Sequence, residues 1–86
     1  MRIYLQVQSE PGLPVRYYQI QLQPDMLGGW GVVREWGFQG RSGTVRRNHY
    51  DSHDEAMDAL EKVRNQQLQK GYRVMFMQGE EGDMNR

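Results

Sequence analysis

The side chains best suited to chemistry in these 86 residues are an aromatic set among bases: Trp36 with Arg34, Arg41, Arg46 and Arg47. Guanidinium groups can track phosphate oxygens while an indole stacks on a base or sugar, a combination that single strands and nucleic-acid ends use. The bland reading of the same residues is a solvated strand pair, its charge diluted by Glu35. Other candidates lead nowhere catalytic. His49 and His53 lie four apart, which helps a metal only if both sit on one helix, and the helix pattern begins between them. There is no cysteine, hence no disulfide and no thiolate zinc site. Ser9, Ser42 and Ser52 fall in turn or cap contexts with no visible base, so neither a nucleophile nor a cofactor is expected. Gly37, Gly40 and Gly43 evoke a phosphate-cradling loop, but such loops join a strand to a helix, whereas these lie between two strands.

These residues must be positioned by the elements around them. Met1 to Gln8 alternates, with Ile3, Leu5 and Val7 on one side and Tyr4 and Gln6 on the other. Arg16 to Gln23 alternates again, setting Tyr18, Ile20 and Leu22 against Tyr17, Gln19 and Gln21. One ring of the tyrosine pair should therefore join the core and the other decorate the surface. Trp30 to Trp36 gives a third strand in which Trp30, Val32, Arg34 and Trp36 share a parity, and Thr44 to Tyr50 a fourth. Ser52-His53-Asp54-Glu55 has capping-box spacing, and Ala56, Ala59, Leu60 and Val63 recur at helical spacing. Lys70-Gly71 should end that helix. Tyr72 to Met77 could return as a fifth strand. The pattern predicts an α+β fold, an antiparallel sheet of four to five strands with one α-helix packed on one face. Residues 1–77 would form the domain and 78–86 a flexible acidic tail.

Total charge cancels, with eleven bases against eleven acids, which argues against a general polyanion binder. Its distribution is uneven. Met1 to Tyr50 holds six arginines and three acids, while Asp51 to Arg86 holds eight acids and five bases. The apolar runs are too short to span a bilayer, and Met1 begins a strand-like pattern instead of a signal peptide. A cytoplasmic location and no membrane partner are the expectation.

The run from Trp30 to Thr44, with its frame Trp36-Gly37, Gly40 and Gly43, resembles the signature of the WGR domain, named for a Trp-Gly-Arg triplet. The acidic helix start Ser52-His53-Asp54-Glu55-Ala56 and the closing Lys70-Gly71-Tyr72 extend the likeness over about Ile3 to Arg73. The resemblance implies a sheet with one packed helix. It also implies nucleic-acid binding, since in DNA-dependent poly(ADP-ribose) polymerases the domain's tryptophan stacks near a DNA end and its arginine couples that contact to neighbouring domains. Only Trp36 and Gly37 of the triplet carry over. Phe38 stands at the arginine position, Gln39 follows it, and Arg41 lies three residues on. The expected function is a non-catalytic module that binds nucleic acid weakly through Trp36, Gly37, Arg34, Arg41, Arg46 and Arg47. On this view Trp36 is at least partly exposed and Trp30 more buried. The alternative is a protein-interaction or assembly module using Trp30, Trp36, Phe38 and Tyr17 as an aromatic patch.

Overall fold

The computed structural model describes residues 1–8 and 10–79. Alternation and turn chemistry give the expected strands, β1 (Arg2–Val7), β2 (Arg16–Pro24), β3 (Trp30–Phe38) and β4 (Thr44–Tyr50), then α1 (His53–Gln69) and β5 (Arg73–Gln78). All neighbours pair antiparallel in the order β4-β3-β2-β1-β5. The fifth strand therefore joins β1, and α1 carries the chain from one edge of the sheet to the other. Because β5 extends to Gln78, the strand runs one residue past the expected domain end; of the expected tail, residues 80–86 lie outside the described residues.

Register decides which side chains share a face. One row across the sheet is Leu5, Tyr18, Trp36 and Thr44, and the next is Ile3, Ile20, Arg34 and Arg46. Both rows face α1. Ile3, Leu5, Ile20, Val32 and Leu60 are fully buried between sheet and helix, with Ala56 beside them. Val63, expected in the core, is only half-buried, because a groove opens between α1 and β4 at its position. The next stripe position holds an amide: Gln67 is only 5% exposed.

The tyrosine pair departs from expectation, since both rings are buried, on opposite faces. Tyr18 belongs to the helix-side core. Tyr17 is covered on the helix-free face by Tyr4, whose ring stacks 6.0 Å away, and its hydroxyl donates to Glu35 Oε2 at 2.7 Å. That hydrogen bond, followed by burial, raises the Tyr17 pKa to about 12.

The helix stops where the sequence suggests at both ends, though among the described residues only the Ser52 half of the capping box forms. Ser52 Oγ accepts from the Glu55 N–H at 3.1 Å. At the other end Gly71, with φ +101°, makes a Schellman turn in which its N–H donates to Leu68 O and the Tyr72 N–H donates to Gln67 O, both at 3.0 Å. This turn aims Tyr72 back toward the sheet. No helix among the described residues is long and apolar enough to cross a membrane.

Candidate nucleic-acid interface

Strand parity brings an aromatic and cationic cluster to the helix-bearing face, beside the C-terminal half of α1. Trp36 on β3 lies opposite Tyr18 on β2, and their rings stack 5.4 Å apart, 9° from parallel. The Arg34 guanidinium sits 5.5 Å from the centroid of the Trp36 ring, and its Nη1 donates to the Tyr18 hydroxyl at 3.4 Å. Tyr72 meets Tyr18 edge-on at 6.0 Å. The Tyr18 ring and the Arg34 guanidinium hold the indole directly, and Tyr72 braces Tyr18 in turn. Trp36 remains half-buried, as does Trp30, which packs edge-on against His53 at 4.8 Å.

Beside the stack lies a recess of about 470 Å³. Arg16, Arg34 and Lys70 supply its charge, Trp36, Tyr18 and Tyr72 its aromatic walls, and Gln66 and Gln67 its amides; among the described residues no carboxylate lines it. A larger groove of about 800 Å³ on the β4 side of α1 also touches Arg34, and there the carboxylates of Asp51, Glu55 and Asp58 mix with Lys62 and His49. The two grooves thus differ in charge balance, mixed in one and cationic in the other.

Across β3 and β4, Arg34 and Arg46 are direct cross-strand partners. Like charges in that position are destabilising unless something negative lies near, and no carboxylate makes an ion pair with either among the described residues.

The sequence-derived residues divide across the fold. Trp36, Arg34 and Arg46 come together on the helix side. Arg47 pairs with Val33 on the opposite face and cannot act with Arg46 on one surface. Arg41 is exposed in the loop after β3, its N–H donating to Phe38 O at 3.2 Å. Gly37 also lies on the helix-free side, where a Cβ would come 3.1 Å from the Gly43 Cα and 3.7 Å from the Tyr17 ring. Its smallness lets the loop close. The aromatic set expected for a protein contact is not one patch, since Tyr17 is buried on the reverse face from Trp36.

Arg16, Lys70, Tyr72 and Gln67 were not among the sequence-derived site residues. Arg16 shares parity with Tyr18, a signal present in the alternation of β2. It lies opposite Phe38, its guanidinium 5.3 Å from the centroid of that ring. The position that carries arginine in the family's triplet therefore holds an aromatic ring with a neighbouring strand's guanidinium over it. Tyr72 reaches the recess only through the turn at Gly71, which periodicity does not reveal, whereas Lys70 caps the helix just before that turn.

No solved structure matches the chain. An uncharacterized protein of Sinorhizobium fredii, y4dW, is 25% identical over 72 residues, covering 84% of this chain. The chain spans about a third of that relative's length, 35%. The WGR domain profile matches residues 1–78, from the start of the sheet to the final residue of β5, and the chain belongs to the WGR domain family.

Proposed function

We propose that this protein is a non-catalytic nucleic-acid-binding module, acting in the cytoplasm, that engages an unpaired strand or strand end on the helix-bearing face. Trp36 offers the stacking surface, and Arg34, Arg46, Arg16 and Lys70 hold phosphates, with Arg41 reaching from the loop. Gly37 supports the loop from behind. The observation that carries the reading is the juxtaposition of a half-exposed indole with three cations around a recess that no carboxylate of the described residues lines. Family membership supports the same partner class, because WGR domains of poly(ADP-ribose) polymerase-like proteins bind nucleic acid. A neutral chain with few phosphate contacts should bind weakly, with Kd of roughly 10⁻⁴ to 10⁻⁶ M at physiological salt.

The test is a titration against blunt, nicked and single-stranded DNA and single-stranded RNA at two salt concentrations. Affinity should fall as salt rises, and Trp36→Ala should weaken every complex. Binding that ignores salt would remove the phosphate role.

A second reading, contact with another protein, is favoured by β5 instead of the aromatic set. This edge strand leaves Val74, Met75, Phe76 and Met77 exposed, whereas the opposite edge, β4, carries Arg46, Arg47 and His49. Apolar edges pair with other chains more readily than charged ones. Concentration-dependent association that Met75→Lys abolishes would support this second contact.

A further inference from the structure

At one edge of the sheet, β5 has no strand on its outer side among the described residues. Edges are commonly blunted by charge, and β4 at the far edge carries Arg46, Arg47 and His49. After Arg73, β5 carries none, and its apolar side chains occupy both faces. Val74 and Met77 lie opposite Leu5 and Ile3 on the helix side, yet they are 42% and 59% exposed, because α1 packs chiefly on β2, β3 and β4. Phe76 lies opposite Tyr4 on the helix-free side, its ring 44% exposed and the Arg2 guanidinium 5.3 Å from its centroid. Between Phe76 and Val74 the register against β1 shifts, so that Met75 is an extra residue, a bulge.

We infer that β5 pairs antiparallel with β5 of a second copy of this chain about a two-fold axis, joining two five-stranded sheets into one. The inference rests on the β5 reading of a protein contact given above, is independent of nucleic-acid binding, and names the partner. A regular strand laid along β5 loses register at Met75, because a one-residue slip turns every later side chain to the wrong face. A second β5 brings its own bulge from the opposite direction, and the two extra residues compensate, which keeps the strands in register from end to end. Matching of faces then fixes the pairs. Phe76 meets its symmetry mate at the axis, Met77 meets Val74, and Gln78 meets Arg73, so apolar faces apolar and no like charges are opposed. Strand direction in this register carries the sequence after Gly79 past Arg73 of the second copy, and that sequence reads Glu80-Glu81-Gly82-Asp83, opposite in charge. An isologous contact of this kind closes on itself, and assembly stops at two.

Sedimentation of the full chain over a range of concentrations, joined to single-cysteine variants of a sequence that has no cysteine, tests the inference. The mass should rise from one chain to two and stop there, and only at high concentration, because one strand pair is a small interface. Under mild oxidation Phe76→Cys should give a covalent dimer, since position 76 meets its mate at the axis. Gln78→Cys should not, the two copies of position 78 lying about 13 Å apart along the paired strands, beyond disulfide reach. Phe76→Lys sets two cations against each other at the axis and should hold the chain monomeric, with the wild-type melting temperature at low concentration as the sign that it folds. A wild-type chain that stays monomeric at millimolar concentration would overturn self-pairing and leave β5 to a foreign strand. Mass that keeps growing past two would sink it as well, because β5 would then be adding to β4 in an open array. Crosslinking through Gln78→Cys in place of Phe76→Cys would rule out the register. A dimer untouched by Phe76→Lys would remove β5 from the contact altogether, and with it the β5 reading on which the inference rests.

Discussion

At the scale of single residues, the two faces of β3 and β4 separate charges that lie side by side in sequence. Arg46 shares the Trp36 face and Arg47 does not, so their neutralisation should have unequal effects. Replacing Arg34 or Arg16 with glutamine should reduce the slope of log affinity against log salt by about one each, whereas Arg47→Gln should leave slope and affinity as they were. A salt titration of the three variants checks this, and an equal effect from Arg47 would move the interface to the other face. Trp36→Ala should cost about 1 to 3 kcal/mol of binding with little change of slope, since stacking releases few counterions. The indole also packs on Tyr18, so Trp36→Phe serves as the folded control. His49 gives the chain a separate pH response. Its Nδ1 lies 2.8 Å from Asp25 Oδ2, a hydrogen bond that raises the histidine pKa above its ordinary 6.5. Asp25 is held below its ordinary 3.8, first by the Leu27 N–H and then by His49. The contribution of the histidine is complete below 6.5 and is lost as pH rises through its elevated value; that of the aspartate is complete above 3.8 and is lost as pH falls through its depressed value. Melting temperature should therefore decline from mildly acidic to mildly alkaline pH by a small, salt-sensitive amount, His49 being exposed and Asp25 partly so, and His49→Gln should flatten that decline.

Among the elements, α1 and the β3–β4 connection carry the most consequence. Leu60 is fully enclosed between helix and sheet, so Leu60→Ala should destabilise by about 2 to 5 kcal/mol, measured by denaturant unfolding. Gly43 stands where a Cβ would come 2.7 Å from the Trp36 carbonyl oxygen and collide with the Tyr17 hydroxyl. Gly43→Ala should push β4 away from β3 and cost about 1 to 3 kcal/mol. A neutral result would mean that the loop relaxes without moving β3. The elements were legible in the sequence because each has a clean period: Ile3 and Leu5, or Ile20 and Leu22, mark strands, while Ala56 and Leu60 mark a helix. Part of the site was legible for the same reason, as Trp36 and Arg34 share a parity. What was not legible depends on packing between elements. Periodicity cannot say that β5 joins β1, that Gly71 turns Tyr72 onto Tyr18, or that Arg16 comes to rest over Phe38. It also implied that one tyrosine of the pair would be exposed, because alternation assumes that the second sheet face is wet. Tyr4 and Glu35 make part of that face a small second cluster around Tyr17.

For the whole molecule, the charge imbalance read along the chain becomes an imbalance across α1. Glu55 and Asp58 of the helix line the groove on its β4 side with Asp51 and Lys62, whereas Arg16 and Lys70 stand at the recess beyond its other flank and Arg34 borders both. A neutral protein can thus present one strongly positive site, and a polyanion approaching it should be oriented before contact. The strand order has a different kind of consequence. β1 is made before the other four strands of the sheet, yet one of its two pairing edges belongs to β5, the last of the five. The first four strands can form hairpins with near neighbours as they leave the ribosome, but β1 keeps a row of unpaired backbone groups beside the fully buried Ile3 and Leu5 until residues 73–78 arrive. A nascent chain stalled at Gly71 would display that open edge for as long as the stall lasted, making it the stage of biogenesis most exposed to chaperones and to aggregation.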